Sequence, residues 1–303
     1  MATPGQLVEL FEDDVEVPMG LHLIAGLTGF TDAGSMVRKL SGHIFENLDH
    51  QLVALFSNDE LLDYRSRRPV MYFEKDHIAD YEPAVLAIYL VTDEVGQKFL
   101  YLDGYEPDFR WEAFADTIEE LIQLWQIVDF TWIHSIPFPI PHTRAFGVTV
   151  SGNRKELIDR VSEWKPQTQV PGNILHLLEY RLSQQDFPTV GFVILVPHYL
   201  SEAEVPGAAV VAFEQITAAT GLVFPTDQLR EESVEFIKEM NQNAANNPEL
   251  TRMIEGLEKS FMTDGPNTPG RFERQVPQVP SADEIAAELE DYLSLKRKND
   301  DEI

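Results

Sequence analysis

The sequence predicts an α/β protein built on a mixed sheet flanked by helices, and three observations carry that prediction. The apolar run LHLIAGLTGF (21–30) ends in a Gly-rich turn and feeds an amphipathic helix. IVDFTWIHSI (127–136) and PTVGFVILVP (188–197) read as further strands, the second being the most apolar segment of the chain. Helical periodicity recurs between and after these runs, so strands and helices alternate along most of the sequence.

Taken in order, the first strand is followed by a helix with Met36, Val37, Leu40, Ile44, Phe45 and Leu48 at helical spacing. QLVALFS (51–57) is the next strand, and the strand–helix–strand order implies parallel neighbours. Residues 70–74, 84–92 and 98–102 read as strands joined by short turns, with Asp93, Glu94 and Gly96 marking a hairpin. Asp108 is placed to cap a helix whose stripe is Trp111, Phe114, Ile118, Leu121, Ile122 and Trp125. Pro137, Pro139 and Pro141 interrupt the chain after the 127–136 strand, because proline lacks a backbone donor. AFGVTVSG (145–152) resumes as a strand, and a helix near 173–184 precedes the 188–197 strand. Helices are expected over 205–220, 226–245 and 248–262.

The proline-rich stretch 264–281 reads as an extended linker. Ser281 and Glu284 then form a capping box for a last helix with Ile285, Leu289, Tyr292 and Leu293 on one face. Lys296 to Lys298 suit the negative end of that helix. The expected organisation is an α/β domain over 1–264 and a linker with a docking helix over 265–303.

Composition narrows the function. Against 51 Asp and Glu stand 23 Lys and Arg, a formal net charge of −28 in 303 residues. Such a surface repels phosphate backbones and anionic lipid, so nucleic acid and membranes are poor partners. The absence of cysteine excludes disulfides, thiolate-bound zinc, iron–sulfur clusters and a Cys nucleophile. MATPGQLVELFEDD lacks the layout of a secretory signal, and no apolar window is long enough to span a bilayer, so a cytoplasmic protein is expected. No cofactor and no metal site are expected.

Four patches in register carry a family resemblance: LIAGLTGFTDAGSMVRKL (23–40), FSNDELLDYRSRRP (56–69), IPFPIPHTRAFGVTVSG (136–152) and VPHYLSEAEVPGAAVVAFEQI (196–216). Together they resemble the actinobacterial branch of the PAC2 family of proteasome-assembly-chaperone-like proteins. The resemblance implies a phosphorylase/hydrolase-like α/β fold, a homo-oligomer with a trimer as the preferred state, and a protein client or proteasome-related partner. Family chaperones often end in a hydrophobic–Tyr–any tripeptide, whereas this sequence ends Asp301-Glu302-Ile303.

Candidate site residues cluster at expected strand ends. Gly26, Gly29, Asp32 and Gly34 frame a turn whose N–H groups suit an anion. The simpler reading is a tight turn with Asp32 as helix cap, and the spacing matches neither a dinucleotide fingerprint nor a P-loop. Arg65 and Arg68, with Arg67 between them, either gather an anionic ligand or pair with neighbouring carboxylates. His142, Arg144 and His198 follow strand ends, where functional loops collect, yet no nucleophile elbow or zinc helix accompanies them. No catalytic residue is assigned.

The preferred reading is a protein-interaction, assembly-chaperone-like role. The alternative is a nucleoside- or anion-binding protein or enzyme with a nucleoside-phosphorylase-like fold, an analogy that fold alone does not turn into activity. Gly29→Val is expected to disrupt the turn or the oligomer whether or not a ligand exists. A variant that folds and assembles normally, by circular dichroism and light scattering, would show that the glycine is not sterically required.

Overall fold

Hydrophobic continuity selects the centre of the sheet. The computed structural model describes residues 7–11, 15–162, 167 and 169–264. Its most apolar strand, β10 (Thr189–Pro197), is buried at every position, as a strand covered on both faces must be. It pairs in parallel with β8 (Asp129–Phe138), which pairs in parallel with β2 (His22–Thr28), and β2 in turn with β7 (Lys98–Tyr105). These four parallel strands form the middle of an eight-stranded sheet of order β1-β3-β6-β7-β2-β8-β10-β9. Antiparallel strands β1 (Val8–Leu10), β3 (His50–Phe56) and β6 (Leu86–Thr92) extend one side, and β9 (Gly147–Gly152) closes the other.

Helices cover both faces. On one, α3 (Trp111–Leu124) and α5 (Ile174–Gln184) bury Phe114, Ile118, Leu178 and Leu182 against Leu100, Phe130 and Trp132. On the other, α1 (Met36–Asn47) and α6 (Pro206–Thr220) bury Met36, Leu40, Phe213 and Ile216 against Ile24, Ile133 and Ile194. The short helices α2 (Asn58–Leu61) and α4 (Lys155–Val161) lie in connections, while α7 (Asp227–Ala245) packs on α6 and α8 (Pro248–Asp264) on α7. Asn173 caps α5 in a reciprocal capping box with His176.

Three expectations are corrected. β2 and β3 run in the same sense but are not neighbours, because β6 and β7 lie between them. The hairpin β6–β7 supplies β2 with its partner, a long-range pairing that strand order in the sequence does not reveal. Residues 77–82 form an unexpected strand, β5 (His77–Glu82), paired with β4 (Val70–Glu74) in a separate two-stranded sheet exposed along its whole length. Asp108 does not cap α3: its carboxylate accepts the Asp63 N–H at 2.8 Å and pairs with Arg67 at 3.2 Å. The expected linker and last helix, with Ile285, Leu289, Tyr292 and Leu293, lie outside the described residues.

The expected turn between β6 and β7 is held by Asp93, whose carboxylate accepts the N–H groups of Val95 at 3.0 Å and Gln97 at 2.7 Å. Deeper in the sheet, Gly191 on β10 lets the Trp132 indole lie flat across the neighbouring strand. A Cβ at 191 would stand 2.2 Å from that ring. Trp132 is fully buried, so the ring has nowhere to retreat. Gly191→Ala is expected to cost about 3 kcal/mol by overpacking, read as a lower urea midpoint with an unchanged slope; an unchanged midpoint would show that the indole yields.

Candidate functional site

In open α/β sheets, ligands gather beyond the carboxyl ends of the parallel strands, where successive connections leave to opposite faces. Here that switch falls between β2, which continues into α1 on one face, and β7, which continues into α3 on the other. The loops that leave them, 29–35 and 106–110, frame the crevice.

Its backbone donors are satisfied from within. Asp32 lies ahead of α1, and its carboxylate accepts Val37 N–H at 2.7 Å and Arg38 N–H at 3.1 Å. The helix N-terminus thus carries an internal anion. Glu106, only 8% exposed, accepts Phe30 N–H at 3.3 Å and Ile174 N–H at 2.9 Å. Gly29 is small because Glu106 is there: a Cβ at 29 would stand 2.6 Å from Glu106 Cβ. Gly26 likewise makes room for the Tyr101 hydroxyl, and Gly34, at φ 71°, exchanges backbone bonds with Ser201 and Val205. A cavity of about 10 Å³, room for one water, remains between Phe30, Glu106, His134, Asn173 and Ile174.

The other candidate residues divide. His142 is buried beside Tyr199: the tyrosine hydroxyl accepts the His142 backbone N–H at 2.7 Å and lies 2.7 Å from ring Nδ1. Nε2 faces Asn241 Oδ1 of α7 at 3.3 Å. Arg144 reaches α8, where its guanidinium donates to Glu258 at 2.9 Å and lies over the Phe261 ring. His198 is exposed, with its ring edge against Tyr199. The Gly-rich turn, His142 and the 198–205 segment therefore share the carboxyl edge of β2, β8 and β10. Arg65 is 88% exposed and touches Asp63 at 3.5 Å, and Arg68 is exposed; both sit on the loop packed beside the end of β7. The anchored member of that trio is Arg67, which pairs with Asp108 and lies over the Tyr105 ring.

Sequence reasoning missed the buried polar groups. His134 is 5% exposed within an otherwise apolar strand, and burial, aided by the neighbouring His176, lowers it to about 4. Burial also lowers His176 and raises Glu179, whose carboxylate accepts from Trp132 Nε1 at 2.8 Å and from the Ser151 hydroxyl at 2.7 Å. Asp103 is raised to about 6 by burial, against the Ser41 hydroxyl that donates to it at 2.5 Å. A polar residue inside an apolar strand run was the available signal for Asp103 and His134. Glu106, one residue past its strand, gave none. Among the described residues no group of three or more His, Cys, Asp or Glu is placed to hold a metal, and no helix is long and apolar enough to cross a membrane.

The PAC2 family model matches residues 26–244. Among solved structures, a Corynebacterium glutamicum protein of unknown function superposes with a TM-score of 0.81 at 30% identity, over 85% of this chain and 97% of that one. A Mycobacterium tuberculosis protein of unknown function gives 0.79 at 34% identity, over 86% and 90%. A second Mycobacterium tuberculosis protein, a proteasome-assembly chaperone homologue, gives 0.70 at 18% identity, over 77% and 100%, a likeness of fold. No curated protein matches the chain.

Asp103 makes the interior sensitive to pH. Its folded-state value lies above the ordinary carboxylate value of 3.8, so ionisation is what the fold opposes. The cost is absent below that value and grows, to at most about 3 kcal/mol, as pH rises through 6. Asp103→Asn keeps an acceptor for Ser41 and is expected to melt higher than the parent protein at pH 8, with the gap closing as pH falls towards 4. An equal gap at both ends of that range would contradict the assignment.

Proposed function

Because the chain belongs to the PAC2 family, we propose that it acts through protein surfaces, as an assembly-chaperone-like homo-oligomer. The observation that carries this reading is the β4–β5 hairpin. Val70, Met71, Tyr72, Phe73, Ile78 and Tyr81 on it are 44–65% exposed. An isolated two-stranded sheet is marginal in water, and apolar side chains exposed in this number, with Met71 opposite Tyr81 and Phe73 opposite Ile78, mark an interface. Tyr and Phe are also enriched at interface centres.

The crevice supports the same reading from the other direction. Its donors are already bonded to Asp32 and Glu106, which leaves little for a phosphate or nucleoside to replace. A second copy is the first partner of the hairpin, and a trimer is the proposed state. A proteasome-related protein is the proposed client, in keeping with the chaperone homologue that shares the fold. The proposed division is a domain over 1–264 and a tail over 265–303 whose Ile285, Leu289, Tyr292 and Leu293 dock within the oligomer. The proposed location is the cytoplasm, consistent with the lack of cysteine.

Light scattering on the full chain is expected to give three times the chain mass, and Tyr72→Ser with Phe73→Ser to release folded monomer. A monomeric parent protein, or a double variant that still assembles, would defeat the hairpin assignment. Co-expression with α-type proteasome subunits of the source organism is expected to yield a co-purifying complex, weakened by deleting 265–303; absence of any complex would defeat the client assignment while leaving the oligomer standing.

A further inference from the structure

The crevice at the switch point has the makings of a binding site with its ligand built in. Two N–H groups from elements distant in sequence, Phe30 on the turn after β2 and Ile174 at the start of α5, converge on the two oxygens of one carboxylate. Oε2 takes the first at 3.3 Å and Oε1 the second at 2.9 Å. The N-terminus of α5, an 11-residue helix, adds its positive dipole end. Gly29 leaves the floor open, since a side chain there would meet Glu106 Oε2 at 2.7 Å. His134, 5% exposed, lines the same cavity, and its ring has no hydrogen bond among the described residues.

From this geometry we infer that the crevice is a carboxylate-binding site whose native occupant is the chain's own Glu106. The donor pair matches a planar carboxylate, one oxygen to each N–H. The residues lining the cavity include no Lys or Arg, and the residual space is about 10 Å³, so a phosphate dianion would lack both countercharge and room. With Glu106 in place the site is closed to free anions. A free carboxylate enters only by displacing it, and that displacement would unpin α5 from the turn after β2. The site is separate from the hairpin, so it stands or falls independently of the assembly role.

Shortening the occupant vacates the site. Glu106→Ala removes a fragment the size of acetate while keeping Cβ. The variant is expected to melt below the parent protein and to regain about 3 °C in 0.1 M sodium acetate over sodium chloride of equal ionic strength. The parent protein and Glu106→Gln, whose amide still fills the space, are expected to show no difference between the two salts. In Glu106→Ala the His134 ring signals in a proton–carbon NMR spectrum are expected to move with acetate and not with chloride. If Glu106→Ala does not purify folded, the same comparison is made on its refolding yield in the two salts. Equal behaviour of Glu106→Ala in acetate and chloride would overturn the inference, as would an equal acetate response in Glu106→Gln.

Discussion

Four parallel strands buried on both faces are the constraint from which the remaining architecture follows. β7, β2, β8 and β10 have no edge and no wet face, so helices must pack above and below them. β2 and β7 send their chains to opposite faces, and a gap opens where they part. In many α/β proteins that gap is left for a ligand. Here Glu106 enters it from β7 and Asp32 holds the start of α1 beside it, each bonded to backbone N–H groups that would otherwise be orphaned.

The same burial favours the uncharged form of two groups whose pH dependences are opposite. Neutral His134 favours the fold above its ordinary value of 6.5 and withdraws that support as pH falls towards 4. Asp103 works in reverse, because its ionisation is what the interior opposes. The two shifts partly offset one another across the mildly acidic range. Asp103 is held by Ser41, and His134 faces a space no larger than a water.

The chain's surface divides its labour differently from its interior. A formal charge of −28 keeps copies apart at long range, so contact between copies would depend on short-range complementarity. The β4–β5 hairpin exposes apolar side chains on an otherwise acidic molecule. Residues 142–144, by contrast, spend their polar groups on α7 and α8, through Asn241 and Glu258, and so fasten the helical extension to the carboxyl edge of the sheet.

Local periodicity located the principal helices and the buried strands β2, β8 and β10, because 3.6-residue and continuous apolar patterns are properties of short windows. Asp32 was readable as a cap for the same reason: its partners are five and six residues away. The Glu106 contact with Ile174 spans 68 residues, and no local pattern marks it. The insertion of β6 and β7 between β2 and β3 was equally hidden, as was the exposure of residues 70–82, whose apolar strand composition resembles that of a core strand. Composition and short-range spacing decide what a segment becomes. Which segments touch, and which apolar surface is left uncovered, depends on long-range closure of the sheet, and only the folded chain settles that.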